Sequence, residues 1–267
     1  MKIKKVFLKY YEVFRLTRSE LFASPANLIG RLLIHALRIS LFGVIYVYVY
    51  NSSGKADING FTALNAVWSL ALVQLIYQST RNTFTLLKDE ILSGHIETKL
   101  IKPYSFIMFN FIESIGQAPI KFFGFSATTI MILGIFFGIP EMTLLQIIGF
   151  ITFYILGLIL YTLSLQFIAL FGFWLENPDP IYWITSKLSW IVNGTFVPLA
   201  ILPLIFRQIA DFFPLSAPFF IGRIFEISTF SHYIKYIGIQ LGWIIIFTLF
   251  INIIFKKGIN KISIHGG

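Results

Sequence analysis

The chain contains no cysteine, which removes disulfide frameworks, thiol nucleophiles and thiolate metal sites from consideration. It is also poor in charge. Only 12% of its residues are Asp, Glu, Lys or Arg, where soluble domains carry roughly a quarter. The four histidines, His35, His95, His232 and His265, are scattered without the spacing of a metal site. No G-x-x-x-x-G-K-[ST] loop is present to cradle a nucleotide phosphate, and neither H-E-x-x-H nor G-x-S-x-G occurs. No two carboxylates lie close together within an apolar run. Catalysis needs convergent titratable groups, so no catalytic residue, metal ligand or resident cofactor is assigned to this chain, and an enzyme is disfavoured.

What the chain has in abundance is apolar surface. Of its 267 residues, 57% are hydrophobic and the mean hydropathy is +0.79. Several runs approach the ~20 apolar residues that cross a bilayer. The fold class is therefore all-α, a polytopic membrane protein. The formal charge of +9 does not point to nucleic acid, because the basic residues cluster at the ends of apolar runs, where they set orientation. The basic N-terminal stretch is too long for a cleaved signal peptide and is expected to be retained.

Residues 1–24 read as an interfacial amphipathic helix, with Lys2, Lys4, Lys5, Lys9, Arg15 and Arg18 against Phe7, Tyr10, Tyr11 and Phe14, broken at Ser24-Pro25. Six transmembrane helices follow. The first covers about 28–50 and carries Arg31, His35 and Arg38 on one helical face. Charges inside a span are functional candidates by default, or else snorkelling cations. The second covers about 61–77, and the third 118–137 after an interfacial piece at 104–114. Glu113, Gln117 and Lys121 recur there on one face, as a stripe more readily buried against a neighbouring helix than used for transport. The fourth span is 144–173. Trp174 to Pro180 then forms a polar loop whose prolines will not continue a helix. The fifth starts near Ser186 and is interrupted by Gly194 and Pro198. Residues 203–231 are apolar yet punctuated by Pro203, Pro214 and Pro218, and carry Arg207, Asp211, Arg223 and Glu226. Short re-entrant or surface helices suit that pattern. The sixth span covers about 234–255.

Residues 78–103 stand apart as the internal stretch rich in charge, with Arg81, Lys88, Asp89, Glu90, Glu97, Lys99 and Lys102. Phe84, Leu87 and Ile91 recur at helical spacing, Ser93-Gly94 reads as a helix stop, and a second short helix ends before Pro103. The result is a bent pair of amphipathic helices at the membrane surface, an elbow suited to docking a soluble partner or, alternatively, to resting on headgroups. Six spans put both termini, the elbow and the Trp174 loop on one side. That side holds most of the Lys and Arg residues, so it is cytoplasmic by the positive-inside rule.

Three stretches together resemble the permease subunits of ABC-2-type ABC transporters, and are most similar to small bacterial permeases paired with a separate ATPase, among them a viologen exporter. Lys88-Asp89-Glu90-Ile91-Leu92-Ser93-Gly94 leading to Leu100-Ile101-Lys102-Pro103 resembles the family's acidic E-I-x-x-G and L-x-[RK]-P pattern. Phe173-Trp174-Leu175-Glu176 closes the fourth span. Gly194-Thr195-Phe196-Val197-Pro198-Leu199 precedes Pro203, Phe213-Pro214 and Pro218. Asn193 stands where the family usually has Ser, and Phe213-Pro214-Leu215 departs from its L-P-F order. The resemblance covers essentially the whole chain and implies one transmembrane permease domain, 1–267.

It further implies that the elbow is a cytoplasmic coupling helix between spans 2 and 3. Asp89, Glu90, Gly94 and Pro103 would shape it, while Arg81, Lys88 and Lys102 would meet the partner. Residues 203–231 would be outer re-entrant helices between spans 5 and 6. The implied partners are an ABC ATPase subunit, which would hold ATP and Mg, a second permease, identical or paralogous, and membrane lipid. The implied location is the bacterial inner membrane. An ATP-independent secondary transporter or channel is the alternative, with Arg31, His35, Arg38, Glu113 and Lys121 as its candidate polar face. A scaffold that anchors another enzyme through the elbow is a third reading.

Overall fold

In the hydrocarbon of a bilayer an apolar chain must satisfy its amide groups internally, and helices do so within one segment. The computed structural model describes the backbone of residues 2–265 and the side chains of residues 8–261. The helices are α1 (Lys2–Glu20), α2 (Pro25–Ser53), α3 (Ala63–Ser79), α4 (Thr83–Leu92), α5 (Ile96–Leu100) and α6 (Phe106–Ile115). They continue with α7 (Ala118–Phe136), α8 (Leu144–Ala169), α9 (Asp179–Val192), α10 (Leu204–Phe212) and α11 (Phe230–His265). A two-residue antiparallel pairing, β1 (Asp57–Ile58) with β2 (Phe61–Thr62), closes the loop between α2 and α3. The side chains of Lys2, Lys4, Lys5 and Phe7, expected on the face of α1, lie outside the described residues.

Local chemistry explains the boundaries. The Thr62 hydroxyl accepts from the Asn65 amide to start α3, and Asn82 and Ser105 cap α4 and α6 in the same way. Thr143 and Gln146 form a reciprocal capping box at the head of α8. Pro25, Pro119 and Pro180 sit in first turns, where the missing amide proton is not needed. The last of these corrects an expectation: α9 begins at Asp179, not near Ser186, and Lys187 becomes a mid-helix residue whose ammonium lies 3.7 Å from the Trp190 ring centroid. Helices α2 and α11 also run past the expected ends at 28–50 and 234–255, because no breaker stops them.

Among the described residues four stretches are long and apolar enough to cross a membrane: Pro25–Ser53, Phe106–Phe136, Leu144–Phe173 and Phe230–Lys261. Helix α3 is shorter and different in kind. Ala66, Val67, Leu70, Ala71, Val73, Leu75 and Ile76 are all buried, so it is covered on every side and forms the central post of the bundle. Around it pack α2, α7, α8 and a tight 3₁₀ stretch, Ala217–Glu226. The outer helices keep apolar faces exposed: Leu37 and Ile135 are 72% and 73% exposed, a surface that only lipid or another protein leaves stable.

The 3₁₀ stretch reaches deep between the helices. A methyl group built on Gly157, in the middle of α8, would fall 2.2 Å from the Pro218 carbonyl oxygen, so glycine there is what lets the two backbones touch. Phe219 lies against Tyr77 and Tyr161, with centroids 4.5 and 5.3 Å away. Further along, the Ile227 carbonyl accepts from Gln146 at the head of α8. The segment therefore enters between α3 and α8 and returns to the end it came from.

Candidate functional site

The elbow is a brace on one side and a free surface on the other. In α4, Phe84, Leu87 and Ile91 are buried and face the lower part of α8 and the turn Leu170–Phe173 that ends it. Phe84 stacks on Tyr182 of α9 at 4.2 Å. Lys88 Nζ bonds Asp179 at the foot of α9 at 2.9 Å, and this hydrogen bond holds the ammonium pKa above its ordinary value. Lys99 donates to Glu90 and lies 4.7 Å from the Phe109 ring centroid. Arg81 bridges Glu20 of α1 and Glu113 of α6 at 3.0 and 3.1 Å. The corner itself is Gly94, at φ +75°, in the left-handed region that glycine enters without penalty. Two bonds from α1 close the far end: Lys9 Nζ to the Pro103 carbonyl at 3.5 Å and the Ser105 amide to Tyr10 Oη at 3.2 Å.

The residues singled out from sequence thus divide. Asp89, Gly94, Lys102 and Pro103 are exposed, as are His95, Glu97 and Ile101, the last 87% exposed. Arg81, Lys88 and Glu90 are instead engaged within the chain, so Arg81 and Lys88 turn inward rather than outward. Asp179, which was not singled out, ties the elbow to α9. Its place in the first turn after Pro178 was the available signal.

The candidate polar face does not act as one face. Arg31 bonds Asn27 at 3.0 Å within its own helix. His35 is fully buried and shares a 2.9 Å hydrogen bond with Thr129 of α7. Arg38 donates to Gln74 of α3 at 2.9 Å. Glu113 is held by Arg81, while Lys121, 4% exposed, reaches the Thr80 carbonyl at 3.4 Å. The break between α6 and α7 at Gly116-Gln117 separates Glu113 from Lys121. Thr129 and Gln74, polar residues within apolar helices, were the missed partners.

Residues 203–231 hold a second constellation. Arg223 contacts Asp211 and makes a bidentate pair with Glu226 at 3.1 and 2.9 Å, and Lys235 reaches the other Asp211 oxygen. The Arg223 side chain is 6% exposed and lies 4.8 Å from the Tyr236 ring centroid. Lys235 is the member that sequence spacing did not connect to the others.

Two cavities adjoin α2. One, of about 500 Å³, is lined by Leu41, Phe42, Tyr77, Trp190 and Phe196, with Arg38 and Gln74 as polar groups. The other, of about 310 Å³, lies where α1, α2, α4 and α7 begin or end and is lined by Arg31, Arg81 and Lys121 with Glu20. Among the described residues no group of three His, Cys, Asp or Glu side chains is placed to hold a metal ion.

A bundle of apolar helices carrying a braced, outward-facing elbow is what a membrane transport component needs. A family model described as ABC-2 family transporter protein matches residues 33–266. A search of curated proteins gives no match. The match spans most of the chain, and the chain belongs to the ABC-2 transporter family.

Proposed function

From that membership we propose that this chain is the membrane-spanning permease subunit of an exporter, coupling ATP hydrolysis on a separate ATPase to movement of a hydrophobic or amphiphilic cargo. The observation that carries the reading is the two-sided elbow. Its inner side is fastened to α1, α6, α8 and α9, and its outer side presents Asp89, His95, Glu97, Ile101 and Lys102. A partner pressing on that surface moves the feet of α8 and α9 as one body, because the packed interface transmits displacement without much yielding. No reactive group is required of the elbow, only stiffness and shape. ATP and Mg belong to the partner.

In this reading the chain crosses the membrane six times. Helix α3, about 26 Å long at 1.5 Å per residue, serves as the second. Helix α9 rises only about 21 Å, and the chain completes the fifth crossing through 193–201, where Tyr46 donates to the Phe196 carbonyl at 2.8 Å and Asn59 to the Ala200 carbonyl at 3.4 Å. Residues 203–231 act as the outer re-entrant segment, α1 as the interfacial helix, and the whole chain as one permease domain. Both termini and the elbow are cytoplasmic, in a bacterial inner membrane. A second permease, identical or paralogous, completes the pathway, and the aromatic cavity beside Arg38 suits the apolar body of an amphiphile.

The test is recovery of partners from the native host in mild detergent, with Ile101→Asp and Asp89→Lys as surface variants. We expect a P-loop ATPase with the wild type, its loss in both variants, and nucleotide-dependent cargo movement in vesicles only when it is present. Cargo movement by the purified chain alone, without nucleotide, would overturn the proposal.

A further inference from the structure

The cavity of about 310 Å³ beside α1 carries a charge imbalance that the permease reading leaves unexplained. Three cations face it: Arg31, Arg81 and Lys121. Arg81 pairs with both Glu20 and Glu113, so three cations stand against two carboxylates and one positive charge is left over. Neither Arg31 nor Lys121 has a carboxylate partner among the described residues. Lys121 is 4% exposed, and its ammonium donates to the Thr80 carbonyl at 3.4 Å. An ammonium largely out of water without a counter-charge is costly, so an anion entering the cavity would be stabilised there.

The surroundings select which anion. The cavity lies at the junction of the interfacial helix and the first turns of α2 and α7, the depth of a phosphate layer rather than of the membrane centre. On α2, Arg31, Ile34, Leu41 and Ile45 follow one another on one helical face, and the three apolar residues are 55%, 61% and 42% exposed. Leu41 also lines the larger aromatic cavity. Ten residues of helix separate Arg31 from Leu41, about 15 Å, half of a ~30 Å hydrocarbon core. A group bound at Arg31 and Lys121 therefore has an acyl-length apolar track leading away from it. Basic pockets between helices on the cytoplasmic side bind anionic headgroups in this manner.

We propose that the Arg31/Lys121 cavity binds the phosphoryl group of an anionic phospholipid from the inner leaflet, with its acyl chain laid along α2 toward the aromatic cavity. The site needs no ATPase and stands whether or not the elbow couples to one.

The full-length protein in uncharged detergent is titrated with phosphatidylglycerol, phosphatidylcholine and glycerol 3-phosphate, and the bound species are counted by native mass spectrometry. One saturable phosphatidylglycerol is expected, weakened roughly tenfold by Arg31→Gln and by Lys121→Gln, as befits loss of a charge-assisted contact. Lys121→Arg should retain it, phosphatidylcholine should bind more weakly, and glycerol 3-phosphate should not displace it. Unchanged binding in Arg31→Gln, an exposed position that folding does not depend on, overturns the proposal even if Lys121→Gln fails to fold. Glycerol 3-phosphate binding as tightly as the lipid also overturns it, making the occupant a soluble phosphate.

Discussion

The two charged stretches that interrupt the apolar chain treat charge in opposite ways. In the elbow the ionic ties are separate small groups, several of which reach to other helices, as Lys88 does to Asp179 and Arg81 to Glu20 and Glu113, and they sit at the margin of a surface that stays exposed. In 203–231 the charges close on themselves. Asp211, Arg223, Glu226 and, from α11, Lys235 form one network around the buried Arg223 side chain, beside Tyr236, while apolar side chains of α10 such as Leu204 and Phe212 stay exposed. Exposed ion pairs contribute little to stability, whereas a buried network fails heavily if one member is lost. The elbow keeps an exposed face, whereas residues 203–231 hold their own shape, with Ala217–Glu226 packed between α3 and α8.

The sharpest way to break the comparison is Asp211→Ala. It strips the shared carboxylate from Arg223 and Lys235, and we expect a loss of about 3–5 kcal/mol, read as a lowered melting midpoint in detergent. Gly94→Ala ranks next. It forces a side chain into the left-handed region at φ +75°, where the cost is about 1–2 kcal/mol, and it re-aims α5, so partner recovery should fall as well.

Lys88→Met should cost about 0.2–1 kcal/mol, and that small difference has a pH signature. The Lys88 pKa is raised in the folded protein, chiefly by its bond to Asp179. Its contribution is then fully present below the ordinary lysine pKa and is lost as pH rises through the raised value. The gap between wild type and Lys88→Met should therefore be constant near neutrality and close in strong alkali, as followed by melting curves. Ile101→Asp should change stability by less than about 0.5 kcal/mol while removing the partner. Equal stability losses in Asp211→Ala and Ile101→Asp would erase the distinction between the two stretches.

Much of the elbow was legible in advance because its signals are local. Buried Phe84, Leu87 and Ile91 follow a helical period, and Ser93-Gly94 stops the helix where a positive φ is needed. Which way its cations point was not legible, since Asp179 lies 91 residues from Lys88 and Glu113 32 residues from Arg81. Arg31, His35 and Arg38 show the same limit. Helical spacing put them on one face, but each has a separate partner: Asn27 in the same helix for Arg31, Thr129 of α7 for His35 and Gln74 of α3 for Arg38. Pro180 misled in the other direction: a proline ends a helix from within but opens one from its first turn, and the residue alone does not say which.

Membrane residence, helical class, the elbow and the proline-punctuated stretch 203–231 follow from the sequence alone, because hydrocarbon thickness, amide satisfaction and glycine stereochemistry act over a few consecutive residues. The central burial of α3, the closure of Asp211 with Lys235, the inward turn of Arg81 and the unpaired Lys121 were decided only in the tertiary structure. Each depends on which helix stands beside which, and the energy of a charge is set by its neighbours in space rather than along the chain.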